Sequence, residues 1–213
     1  MFDAGTIKSS LVLELAMAEL MRHPHLMTKL QTEVRNKTPI GQEMVKEENL
    51  AGMAYLRAVV KETLRLHPPA PLLLPYQSMV DCDIDGHTIP AGTRVIINSW
   101  AICRHPESWE KAEEFMPERF MDGGSAAAVD LKGNDFQFIP FGAGRRMCPG
   151  VMFGLANIEI ALASLLYHFD WKLPGGANPS EVDMDESYGI TARRRTDLLL
   201  EATPYVPHGS ESS

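Results

Sequence analysis

Cys148 stands where a sulfur could act as a metal ligand. It lies in Phe141-Gly142-Ala143-Gly144-Arg145-Arg146-Met147-Cys148-Pro149-Gly150, directly before an apolar run from Val151 to His168. Glycine accepts positive φ and lets the backbone approach a flat ligand closely. Pro149 suits the first turn of a helix. The N–H groups of that helix start, with Arg145 and Arg146 close in sequence, favour thiolate over thiol. The string predicts an electropositive, glycine-lined pocket around an anionic sulfur, a strong donor to an iron. The plain alternative is a buried structural thiol, which most lone cysteines are.

Glu62 and Arg65 form a second constellation. Three residues apart on a helix, they share a face. Taken alone, such a pair is ordinarily a solvated surface contact of small energetic weight.

Composition narrows the classes. The 213 residues are 45% apolar and 23% charged, the profile of one globular domain with a real core. The formal net charge of -8 argues against a nucleic-acid partner, since phosphate binding needs a basic surface. Cys82, Cys103 and Cys148 are widely spaced, with no CxxC. That argues against a disulfide scaffold or a zinc site and points to a reducing compartment. No N-terminal stretch reads as a signal or transit peptide. No uncharged apolar run approaches the ~20 residues of a spanning helix.

The positioning elements are mainly α, with a small β region. Leu11, Leu15, Ala18 and Arg22 recur at helical spacing. Pro24 breaks that helix and opens the next, about 25–36. Asn49 can cap a short helix, and 55–66 reads as a longer one ended by Pro68 and Pro69. Residues 71–98 read as strands: apolar Leu72 to Leu74, a hairpin of Cys82, Ile84 and Ile89 around Asp85-Gly86, and a β-branched strand 93–97. Residues 104–120 read as irregular with short helical turns, and 122–135 as a surface loop. The run 151–168 is apolar nearly all round and predicts a buried helix. Loop and hairpin follow Pro174, with 197–202 strand-like and 203–213 a frayed tail. No internal repeat or second domain boundary is visible, so residues 1–213 read as one domain.

The cysteine string matches every fixed position of the FxxGxRxCxG signature of the cytochrome P450 family, which this chain resembles over essentially its whole length. Three further segments agree in order. Glu62-Thr63-Leu64-Arg65, within KETLRLHPP, resembles the family's ExxR helix. Pro117-Glu118-Arg119-Phe120 resembles its PERF segment, and Ala4-Gly5-Thr6 the start of its oxygen-activation motif. The wording resembles the plant microsomal branch and its secondary metabolism.

The resemblance implies a haem b group with Cys148 as the axial thiolate, whose electron donation favours O–O cleavage. Phe141 would pack beside the thiolate, and Gly142, Gly144 and Gly150 would allow close backbone approach. Arg146 would bond a haem propionate. Glu62, Arg65 and Arg119 would form a buried, structural ion-pair network. Substrate would meet Ala70, Leu72, Leu73 and Leu74, and the segment 188–191 with Ile190; for both segments ordinary core is the alternative. The implied activity is monooxygenation of a small apolar molecule by O2. Electrons from NADPH would arrive through a flavoprotein reductase docked near Arg145 and Arg146.

Two positions depart from the family. Where an acid and then a threonine usually deliver protons, this sequence has Ile7 and Lys8, so no catalytic proton donor carries over. Tyr76 stands where Arg or His often meets the second propionate. The resemblance also implies that residue 1 falls inside the family's long central helix, so that the fold here is incomplete. It implies an endoplasmic reticulum location, with the membrane anchor outside this sequence. The rival reading from another class is a non-catalytic remnant that binds haem weakly or not at all. A thiol enzyme built on Cys148 would need a partnered histidine.

Overall fold

A computed structural model describes residues 2–187 and 189–206, the first five of them as backbone only. Met1, Tyr188 and 207–213 therefore lie outside the described residues, as do the side chains of Ala4, Gly5 and Thr6.

Four helices form the body. They are α1 (Phe2–Arg22), α2 (Pro24–Lys37), α4 (Ala54–Leu66) and α6 (Val151–His168), with the short α3 (Glu47–Leu50) and α5 (Ser99–Ile102) between them. Each of α1, α2 and α4 packs against α6 and against the other two. Val12, Ala16 and Leu20 of α1 meet Leu26, Leu30 and Val34 of α2 in one core. Leu56, Val59 and Leu64 of α4 and Ile158, Leu162 and Leu166 of α6 complete it. Enclosure by three partners explains why every residue of α1 from Leu15 to Met21 is buried, where sequence periodicity suggests a single face. Pro24 occupies the first turn of α2, as its fixed φ requires.

α4 begins without a cap of its own. Met53 precedes it and offers no side-chain acceptor. Glu33 of α2 does that work: its two carboxylate oxygens accept from the Tyr55 and Leu56 amides at 2.9 and 2.8 Å. Asn49 is not the cap of α3 but its third residue, accepting from the Lys46 amide at 2.9 Å.

The β content is smaller than the sequence suggests. Among the described residues four two-stranded antiparallel ladders form: β1 (Tyr76–Gln77) with β4 (Arg94–Val95), β2 (Cys82–Ile84) with β3 (His87–Ile89), β5 (Phe169–Lys172) with β8 (Glu201–Pro204), and β6 (Glu186–Ser187) with β7 (Arg193–Arg194). The Asp85-Gly86 hairpin stands where expected, with both residues at positive φ. Leu72 to Leu74 forms no strand: the Leu73 amide reaches back to the Ala70 carbonyl, and Leu73 takes φ 52. β4 covers only two residues of the predicted 93–97, because its partner β1 offers two. At the C-terminal end the strand is 201–204 rather than 197–202, so Thr203 and Pro204 are not frayed. The Tyr205 amide still donates to the His168 carbonyl at 2.8 Å, and Arg35 stacks on the Tyr205 ring at 3.5 Å.

Two further expectations need correction. The loop 122–135 is a loop but not a surface one throughout, since Ala126, Val129 and Leu131 are buried. Helix α6 is apolar all round yet buried on one side only: Met152 and Phe153 are 79% and 72% exposed. With 18 residues, α6 is also long and apolar enough, by length and composition, to cross a membrane. Here its buried side lies on α1, α2 and α4.

Candidate thiolate site

The cysteine loop is shaped by its glycines. Gly142 (φ 75) and Gly144 (φ 70) are left-handed, conformations that side chains rarely take. Between them the chain turns so that the Cys148 amide donates to the Phe141 carbonyl at 3.0 Å. A short 3-10 turn, Gly144–Arg146, follows, and Gly150 then caps α6, its carbonyl accepting from Gly154 at 2.8 Å. Cys148 is exposed, two residues before the helix cap. That excludes the buried structural thiol. Cys103, by contrast, is buried beside Ser99, and burial pushes its thiol pKa up.

The expected site residues fall into groups. Phe141 is half-buried and packs on the core; Gly142 is buried; Gly144, Arg145, Arg146 and Gly150 are exposed around the sulfur's loop. A Cβ at Gly142 would stand 3.8 Å from the Tyr76 hydroxyl and 3.9 Å from Leu73 Cδ1. The fold thus brings Tyr76 and Leu73 onto the cysteine loop. Leu72 and Leu74 are exposed, and Ile190 is 77% exposed. Ala70 is buried and presents little surface to a ligand. Ile7 is half exposed on α1 and Lys8 is partly buried, with the Ile7 carbonyl accepting from Ser10 Oγ at 2.9 Å.

Glu62, Arg65 and Arg119 meet in full burial. Arg65 binds the Glu62 carboxylate through Nε at 2.8 Å and Nη2 at 2.9 Å, and Arg119 Nε lies 3.0 and 3.1 Å from its two oxygens. All three side chains are 0% exposed. One carboxylate faces two guanidiniums, and backbone carbonyls absorb the excess donors. Arg65 also donates to the carbonyls of Cys103, Ala112 and Glu114, and Arg119 to those of Glu110, Lys111 and Glu114. The Met116 amide completes the carboxylate at 2.8 Å. The network therefore fastens the irregular 103–119 segment to α4, which is what lets so little regular structure hold a fixed shape.

Some features had no signal in the sequence. The positive φ of Leu73 is one; strain of this kind at a non-glycine residue costs ~1–3 kcal/mol and collects at ligand sites. The exposed pair Met152 and Phe153 is another, hidden by the uniform apolarity of α6. Among the described residues no cluster of three His, Cys, Asp or Glu side chains could hold a bare metal ion. A group that brings its own equatorial donors and asks one soft ligand of the protein fits this donor set. Haem is such a group: an exposed sulfur, a backbone left open by glycines, nearby apolar side chains and a free-standing guanidinium at Arg146 suit its iron, face and propionates.

The cytochrome P450 family model matches residues 1–199. Indole-2-monooxygenase of Zea mays is 58% identical over 200 residues, covering 94% of this chain and 37% of that protein. Premnaspirodiene oxygenase of Hyoscyamus muticus is 50% identical, covering 97% of the chain and 40% of its own length. A zebrafish cytochrome P450 structure with abiraterone superposes with a TM-score of 0.83 at 29% identity, covering 96% of this chain and 45% of that one. The chain spans about two fifths of the length of the curated relatives it matches.

Proposed function

This chain belongs to the cytochrome P450 family, and from that premise we propose that it binds haem through Cys148 and serves monooxygenation of a small apolar substrate. The observation that carries this reading is the exposed sulfur of Cys148, held by left-handed glycines at the start of an apolar helix. Haem, when bound, supplies the chemistry of dioxygen activation. The chain's own residues do the rest. Cys148 donates charge to the iron, and the Phe141 carbonyl fixes its amide. Arg146 meets a propionate, and Tyr76, lacking a positive charge, offers the second a hydroxyl donor. Leu72, Leu73, Leu74 and Ile190 present apolar surface to the substrate.

Electrons come from NADPH through a flavoprotein reductase that docks beside exposed Arg145 and Arg146. The location is the endoplasmic reticulum surface, as in the plant microsomal branch. Two maize relatives are named for indole and for 3-hydroxyindolin-2-one, so a bicyclic indole-like molecule heads the substrate candidates. Haem titration tests the reading. The chain should take up one haem per molecule, and indole should then shift the Soret band. Equal uptake by Cys148→Ser, with no response to indole or other apolar bicyclic molecules, would remove its basis.

Ile7 and Lys8 bear on coupling. Ile7 has no proton to give and Lys8 places an ammonium where a hydroxyl belongs, and positioned acid catalysis typically contributes ~10²–10⁴-fold. In haem-loaded protein supplied with reductase, Ile7→Asp/Lys8→Thr should raise product formed per NADPH several-fold and lower hydrogen peroxide release. Tight coupling already present in the unsubstituted protein would show that protons arrive by another route.

A further inference from the structure

The β6–β7 hairpin is too short to hold itself. Its ladder has two residue pairs, Glu186↔Arg194 and Ser187↔Arg193, and an isolated two-stranded ladder is marginal in water. Both Glu186 and Arg194 are nonetheless buried at the side chain, so something outside the hairpin seats it. Ala192 contributes one backbone bond, to the Pro69 carbonyl at 3.2 Å.

His67, the residue that ends α4, contributes more. It is 7% exposed. Its Nδ1 lies 2.9 Å from Glu186 Oε1 on β6, and its Nε2 lies 2.9 Å from Glu19 Oε1 on α1. Ionised carboxylate oxygens only accept, so both ring nitrogens must donate, which is the imidazolium form. A neutral ring would set a lone pair against one of the two carboxylates.

The surroundings carry charge of both signs. Arg22 and His23 face the other oxygen of Glu19, at 3.7 and 3.5 Å. Arg104, Glu113 and Asp185 line a cleft of about 290 Å³ beside the ring. Arg194 of β7 lies 3.5 Å from Glu14 of α1. Burial works against the charged ring, but the hydrogen bonds it donates to Glu186 and Glu19, with the charges of those two carboxylates, outweigh it, and the His67 pKa stands above its ordinary value. Burial likewise works against the Glu19 carboxylate, and the His67 hydrogen bond with the charges of His67, Arg22 and His23 holds it below its ordinary range.

We propose that His67 is a positioning residue for the hairpin tip: as an imidazolium between Glu19 and Glu186 it seats β6–β7 on α1 and α4, and so fixes where Ile190 stands. The consequence for substrate rests on the proposed role of Ile190; the clamp itself does not. A raised histidine pKa stabilises at low pH and loses that contribution as pH rises through the folded-state value. A lowered carboxylate pKa acts at high pH and is lost as pH falls through its own folded value. The clamp is closed between these limits and opens as pH rises through the ring's folded-state value.

The test is made on the 213-residue chain by NMR and amide exchange. At neutral pH both ring nitrogens of His67 should carry protons. As the ring loses one, protection of the Ala192 amide and of the Arg195 amide, which donates to the Asp185 carbonyl at 2.8 Å, should fall ~10-fold after correction for intrinsic exchange, the scale of one charged hydrogen bond. Glu186→Gln removes one carboxylate and should move the ring's titration and the loss of protection to lower pH together. A His67 ring singly protonated at neutral pH, or hairpin protection that ignores its titration, would overturn the proposal. Both readings come from the unsubstituted chain, so they decide the matter even if Glu186→Gln fails to fold. No haem is needed, so a failed haem titration leaves the clamp standing, and an unclamped hairpin beside a normal haem spectrum sinks the clamp alone.

Discussion

Glu62 shows how one side chain can govern a segment it does not belong to. Its carboxylate lies between two buried guanidiniums that together hold six backbone contacts along 103–114. Glu62→Ala leaves two cations buried without a counter-charge, a loss of ~3–5 kcal/mol where one partner of a buried pair is removed. The denaturation midpoint should fall accordingly, with amide protection lost across 103–116. An unchanged midpoint would mean that the carbonyls alone satisfy the arginines. The ExxR spacing put Glu62 and Arg65 on one face in the sequence, and a family resemblance joined Arg119 to them. The carbonyl partners were illegible, because 103–116 has no periodicity that says where its backbone points. His67 was equally silent, since nothing local links positions 19, 67 and 186.

At the scale of elements, helix starts, stops and breaks were the legible part. Prolines at 24, 68 and 69 act on their own backbone, so sequence alone places them. Strand lengths were not legible: β1 and β4 end where the partner ends, a property of the pair. The start of α4 is also set from elsewhere, by Glu33 of α2. Glu33→Ala should therefore cost ~1 kcal/mol, the typical worth of an N-terminal cap. Exchange at the Tyr55 and Leu56 amides should quicken most. Gly124 offers a sharper check in the loop 122–135. A Cβ there would stand 2.4 Å from the Glu118 carbonyl oxygen and 2.5 Å from that of Arg119. Backbone oxygens cannot swing aside, so Gly124→Ala must displace the PERF turn at ~1–3 kcal/mol. Gly41, which meets nothing within 4 Å at its Cβ position, marks the contrast, its strain being conformational only.

At the scale of the molecule, burial is uneven in a way composition cannot reveal. The side of α6 on α1, α2 and α4 is dry, while Met152, Phe153, Leu72, Leu74 and Ile190 remain open. Exposed apolar side chains mark ligand or partner sites where they join into one contiguous patch. A dye of apolar surfaces should bind the chain and be displaced by haem, and Cys148→Ser should prevent the displacement. Ligation of the iron by Cys148 is decided by the absorption of the reduced, haem-loaded chain under carbon monoxide. The unsubstituted chain, Cys82→Ser and Cys103→Ser should each show the red-shifted Soret band of a thiolate-bound ferrous haem, and Cys148→Ser should lack it. A Cys148→Ser protein that kept the thiolate band would show that another residue ligates the iron.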